Sequence, residues 1–270
     1  MDVLDLGEIS RAVQARHLAT PMGSALVLNP GDDADSALER LRLLQFDAAP
    51  VAVDGRPTGI FRAGPQRGRT VGHRMAPLAA TVMVSADTPM ADVARFLCEE
   101  PFLFVLRGRE ITGFITPADL GSAAARTHYY LLLAALEMAL ARLLRRSFPH
   151  QMDAIALLSP QRRKAHHRLT AQLRERDELI DDIAALSLAD LLAIAGSDSA
   201  YRSAATSAGR GWRWLGDGLA NFRNDVMHPA RDFAAASASG IGKLVDFEER
   251  MSTLIAAAEE VTNGSADDMP

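Results

Sequence analysis

The chain has 270 residues, of which 48% are hydrophobic and 23% charged, and its formal net charge is −5. This length suits two ordinary domains, the apolar content excludes a disordered chain, and the mild acidity excludes a chain-wide nucleic-acid coat while leaving room for a local basic face. A single cysteine, Cys98, excludes an intramolecular disulfide and a multi-cysteine metal cluster, and fits a reducing, cytoplasmic compartment.

The opening residues MDVLDLGEIS have neither the basic start nor the apolar core of a signal peptide. Up to about residue 120, short β-branched runs alternate with helical stretches and Gly/Pro turns. This region repeats itself. LVLNPGDDADSALERL (26–41) is followed by PVAVDGRPTGIFRA (50–63), and VMVSADTPMADVARFL (82–97) by LFVLRGREITGFITPAD (103–119). Each copy reads as a strand, a polar turn, an amphipathic helix and a hairpin turning at Asp54-Gly55-Arg56 or Arg107-Gly108-Arg109. A copy of this size buries too little core alone, so the two are expected to pack together.

Thr116-Pro117-Ala118-Asp119 closes the second copy where a strand gives way to a helix. Two readings stand. Thr116 is an N-cap and Asp119 a carboxylate that complements the helix dipole. Alternatively, the helix start favours an anion and the carboxylate accepts from two vicinal hydroxyls. At the matching place the first copy has Arg62 and no acid after it. That arginine either meets a phosphate or marks a dead site, so at most one site per pair is expected.

This duplicated pattern, with Gly113–Leu120 as its most specific element, resembles a tandem CBS domain pair over about residues 17–121. The resemblance implies an α+β pair of β-α-β-β-α repeats. It also implies a regulatory adenine nucleotide (AMP, ADP or ATP), with Thr116 on the phosphate and Asp119 on the ribose.

Domains are expected at 1–121 and 122–262, with a polar tail at 263–270, the small polar stretch Gly121–Arg126 marking the change. Beyond it the spacing predicts an all-α bundle. The expected helices are Tyr129–Arg146, Gln151–Leu158, Pro160–Leu186 (capped by Ser159), Leu188–Ala195 (capped by Ser187, stopped at Gly196), Trp212–Met227, and about Ile241 to Val261. The apolar stretch Tyr129–Leu144 is broken by Glu137 and Arg142, so it reads as a bundle helix and not a membrane span. Glu137 there needs a partner, for which Arg223 is attractive. The basic run 161–176 reads as a solvated face balanced by the acidic residues after it, with the lining of an RNA path as the alternative, and adjacent His166 and His167 point to different sides, so no metal site is expected. Trp212 and Trp214 read as core or interface residues.

In the Trp212–Met227 segment, Leu215, Leu219, Phe222 and Val226 form a core stripe, while Asn224 and His228 lie on the other face with Arg223 on the flank. Pro229 is expected to stop this helix. Arg223-Asn224-Asp225-Val226-Met227-His228 resembles the Arg-x4-His motif of HEPN domains, and the likeness covers about residues 127–260. It implies a homodimeric, toxin-like, metal-independent endoribonuclease acting on RNA, with no catalytic cofactor and room for an antitoxin or other protein partner. His228 would be acid or base, Arg223 the phosphate ligand, Asn224 an orienting group and Glu137 part of the site. Regulation by the nucleotide would make it a gated enzyme. The alternative is a non-catalytic sensor or scaffold that binds nucleotide and RNA or a protein. On an ideal helix Arg223 and His228 diverge by roughly 140°, so either the helix ends before His228 or a second chain completes the site.

Overall fold

The computed structural model describes residues 6–64, 67–178, 181–228, 230, 233 and 238–264. The chain forms two units: residues 10–126 with 234–243, and residues 1–9 with 127–233 and 244–270. The fold class is the expected one, an α+β pair of repeats followed by a helical region.

α1 (Leu6–Ala12) contributes residues 6–9 to the helical unit and 10–12 to the first unit, whose elements continue with α2 (Ala15–Leu18) and β1 (Thr20–Pro21). The first repeat follows as α3 (Ala34–Leu44), β2 (Ala48–Val53), β3 (Arg56–Arg62) and α4 (Val71–Arg74). The second is β4 (Ala76–Pro77), β5 (Met83–Ser85), α5 (Met90–Glu99), β6 (Leu103–Arg107) and β7 (Glu110–Ile115). Asp33 caps α3 by accepting from the Ser36 N–H at 2.9 Å.

The duplication holds residue by residue. Leu28 bridges Val51 in parallel, as β5 pairs β6 in parallel. Both hairpins are antiparallel and both carry a register shift, at Val51/Ala52 and at Val105/Leu106. Thr58 donates to the Val51 carbonyl at 3.3 Å, and Thr112 to the Val105 carbonyl at 3.4 Å. The closing strands are exchanged. β1, ahead of the first repeat, pairs with β7 of the second, and β4, ahead of the second, pairs with β3 of the first. Glycine is required at both junctions: a Cβ on Gly59 would meet the Ala76 carbonyl oxygen at 2.4 Å, and one on Gly113 the Thr20 oxygen at 2.6 Å.

Leu28, Leu41, Val51, Phe61 and Val71 fill the core of the first copy. Ile60 joins Val82, Phe102 and Phe104 in a second cluster, so the copies do pack on each other. Phe102 stacks on Phe114 with centroids 5.0 Å apart.

The helical unit comprises α6 (Ala123–Ser147), α7 (Gln151–Ala156), α8 (Pro160–Glu175), α9 (Leu188–Ala195), α10 (Ser199–Thr206), α11 (Trp212–Gly216), α12 (Leu219–Met227) and α13 (Ala238–Gly264). Ser159 and Ser187 are the expected caps. Three expectations are corrected. The helix from Pro160 ends at Glu175, because Asp177 takes a left-handed conformation (φ 57°) that a right-handed helix cannot continue. The segment 212–227 is two helices, broken at Asp217 and at Gly218, whose φ is +74°. α10 was not foreseen; Asp198 caps it through the Ala200 and Tyr201 N–H groups. Pro229, the expected stop, and residues 265–270 of the expected tail lie outside the described residues, while Asn263 and Gly264 belong to α13.

Leu215, Leu219, Phe222 and Val226 are buried, as the stripe required. Trp212 meets Tyr201 edge-on at 5.4 Å, and Trp214 lies between the guanidinium groups of Arg210 and Arg250 at 4.6 and 4.3 Å. His166 is buried with Nε2 2.8 Å from the Asp182 carbonyl, and His167 is exposed. No helix among the described residues is long and apolar enough to cross a membrane.

Candidate functional site

The helical unit holds a cleft of about 300 Å³ lined by Glu137 of α6, Arg162 of α8, Leu186, the first turn of α9 from Ser187 to Ala189, and Ala220, Arg223 and Asn224 of α12. Apolar spacing explains how the polar members arrive there. Burial of Leu219, Phe222 and Val226 turns Arg223 and Asn224 outward, and Glu137 lies partly exposed between buried Leu136 and Leu140 of α6. Three of the four residues expected in catalysis therefore share one cavity.

Arg223 Nε donates to Glu137 Oε1 at 3.3 Å, the pairing read from the sequence. The pair is more than a third exposed, so its worth is screened and its use is directional. No bond is drawn from the two terminal amino groups of Arg223 to any described residue, nor from the Asn224 amide side chain. The fork is fixed at one edge and open at the other.

Arg162 repeats this arrangement. Its Nε donates to Asp190 Oδ1 at 2.7 Å, and its Nη2 reaches both Asp190 Oδ2 and Ser187 Oγ, the latter at 2.6 Å. Among the described residues its Nη1 has no hydrogen-bond acceptor. Asp190 also accepts from the Ser187 hydroxyl at 2.7 Å and closes a capping box at the start of α9. Burial raises the Asp190 carboxyl, and hydrogen bonds from Arg162 and Ser187 outweigh it, holding the group below its ordinary value of 3.8. Two cations and two carboxylates cancel in charge. At the start of α9 the Asp190 carboxylate already complements the helix dipole.

His228 is not among the residues lining this cleft. It is exposed at the end of α12, already out of helical conformation (φ −105°, ψ 99°), and its backbone N–H donates to the Asn224 carbonyl at 3.2 Å. Arg162 and Ser187 were missed as site residues. The Ser187-x-x-Asp190 spacing signalled the cap, but nothing local ties Asp190 to an arginine 28 positions upstream within a basic run.

A second groove of about 410 Å³ adjoins the first, sharing Glu137 and Leu186 and bringing in Arg142 and Arg145 of α6. Arg145 is held by Asp181, Nε to Oδ2 at 2.7 Å and Nη2 to Oδ1 at 3.2 Å. Arg142 lies 3.8 Å from Glu259.

In the repeat unit, Asp119 Oδ2 accepts from the Thr116 N–H at 2.7 Å and from its hydroxyl at 2.9 Å, so the capping arrangement is present. Oδ1 receives only a long bond from Thr20, at 3.4 Å, and keeps acceptor capacity. Burial pushes the Asp119 carboxyl up against those bonds. Arg62 does not join this group. It pairs with Glu100 at 3.3 Å, and its Nε is buried without a hydrogen bond. Among the described residues, no three His, Cys, Asp or Glu side chains gather as a metal site.

No family model and no curated protein matches the chain. Among solved structures its N-terminal part is similar to CBS-pair proteins. CBSX2 from Arabidopsis thaliana is 21% identical with a TM-score of 0.37, over 44% of this chain and 96% of that one. The CBS domain of a bacterial CNNM/CorC family Mg2+ transporter in complex with ATP is 16% identical with a TM-score of 0.36, over 43% and 88%. A CBS domain-containing protein of unknown function from Bacillus anthracis is 14% identical with a TM-score of 0.37, over 42% and 94%.

Proposed function

We propose that the chain is a two-module sensor, in which the repeat pair takes an adenine nucleotide at Thr116 and Asp119 and the HEPN-like helical unit binds RNA through its phosphates. The observation that carries this reading is the cleft itself. Two guanidinium groups from different helices, each braced by a carboxylate and open on its outer edge, share it with the Asn224 amide and the α9 N-terminus. Such fixed forks match phosphate oxygens. Asp119 Oδ1 supplies the acceptor that ribose hydroxyls require. Domains at 1–121 and 122–262, a homodimer through the helical half, and a cytoplasmic setting complete the proposal.

Cleavage is the second reading, favoured by the hydrogen bond that sets His228 one turn beyond Asn224. It makes the protein a metal-independent endoribonuclease in which Arg223 steadies the phosphorane, His228 moves the proton, Asn224 orients the imidazole, and Glu137 braces Arg223. His228 then approaches the phosphate from a second copy.

The test measures binding of a 2′-O-methyl RNA oligonucleotide, which resists cleavage, beside incubation of unmodified RNA with chelator. Arg223→Ala is expected to weaken binding roughly tenfold, the scale of a charge-assisted hydrogen bond. His228→Ala is expected to bind like wild type, and to leave RNA intact where wild type cuts it. Equal binding by wild type and Arg223→Ala overturns the cleft, and intact RNA with both wild type and His228→Ala overturns cleavage.

A further inference from the structure

We infer that the two adjoining grooves of the helical unit form one track for a single-stranded polynucleotide, with successive phosphates met by Arg223 and Arg162 in the cleft and by Arg142 and Arg145 in the groove beside it. This rests on the phosphate reading of the cleft and adds to it a direction and a length. Arg162, Arg142 and Arg145 enter as specificity residues for strand length, a role the Arg-x4-His motif does not contain.

Three observations support a track over a single pocket. The grooves share Glu137 and Leu186, so they lie side by side on the helical unit. Each of the four guanidinium groups meets a carboxylate (Glu137, Asp190, Glu259 or Asp181), closely at Arg145 and Arg162 and only at 3.8 Å at Arg142, and every pair is partly exposed. Beside the arginines the second groove is lined by Ala134, Ala141 and Ala184 together with the larger Met138, Ile183 and Leu191, an apolar floor on which sugars and bases can lie. The cleft alone, at about 300 Å³, is at the small end of ligand pockets and suits a backbone segment better than a whole cofactor.

Each arginine is locally neutralised, so the site holds a strand by directed bonds and not by bulk charge. Affinity should therefore grow stepwise with the number of phosphates reached, about threefold per step, given the screening of exposed pairs.

The probes are 2′-O-methyl oligouridylates of two to six nucleotides, titrated into the full chain. Wild type is expected to bind each longer oligonucleotide more tightly until the track is filled. Arg142→Gln removes only a loose, exposed ion pair. It is expected to lose the last step of the gain from lengthening, and Arg162→Gln to weaken binding of every length. Folding does not enter a second measurement, in which single linkages of the hexanucleotide are made neutral methylphosphonates and wild-type protein is used throughout. Several separate linkages, not one, should then weaken binding. Dinucleotide and hexanucleotide bound equally, or a single sensitive linkage, overturn the track while leaving the cleft standing. No binding of any length overturns both this inference and the phosphate reading beneath it.

Discussion

Asp119 shows how much one carboxylate can carry. Its two bonds from Thr116 satisfy the helix start, yet burial still raises its proton affinity above the ordinary value of 3.8. A raised folded pKa means that the native state holds the proton more tightly than the unfolded chain. The associated stability is full below pH 3.8 and is lost as pH rises through the folded value. Asp119→Asn keeps the acceptor for Thr116 and removes the titration. The urea midpoint of wild type relative to this variant should therefore fall as pH rises from below 3.8, and a constant difference refutes the assignment. The sequence demanded a partner for Glu137, an acid inside an apolar helix, and offered Arg223 as one candidate. It could not single out Arg162, which is one of several arginines in a run where only tertiary contact with Asp190 distinguishes it. Nor could it place His228, whose position depends on where α12 ends.

Elements were legible where their punctuation was chemical. The serine caps, the two hairpins and the apolar stripe of α12 are all present. The long helix from Pro160 was overread because nothing before Leu186 is a glycine or proline, and the stop at Asp177 is a left-handed residue with no strong sequence mark. The break before α12 was there to read in Gly216-Asp217-Gly218, and hydrophobic spacing across it outweighed the glycine. Gly59 and Gly113 give the test at this scale. Alanine at either would push its methyl into a carbonyl oxygen of the crossing strand, and backbone cannot yield as a flexible side chain does. Gly59→Ala and Gly113→Ala should each cost about 1–3 kcal/mol in denaturant unfolding. An unchanged midpoint in either would mean that the crossing strand is free to shift.

For the molecule as a whole, the change from alternating strands to long helices was visible in the sequence, because periods of two and of 3.6 residues are different signals. The duplication was visible too, down to matching glycines. The partner of each closing strand was not, because β1 and β7 are paired across some 90 residues and β1 contributes only Thr20 and Pro21. The pairing predicts that a shortened chain beginning at Met22 leaves the outer edge of β7 unpaired. Such an edge invites another chain. Size-exclusion chromatography should then show concentration-dependent self-association beyond that of the full chain, and identical elution of the two would contradict it.

The exchange of β1 and β4 also limits how such a protein can change over time. Each copy borrows its last strand from the stretch of chain ahead of the other, so the halves are interlocked like clasped hands. Neither half can be lost, moved elsewhere or freely replaced without unravelling the rim of the one that remains, and the pair is inherited as a single unit.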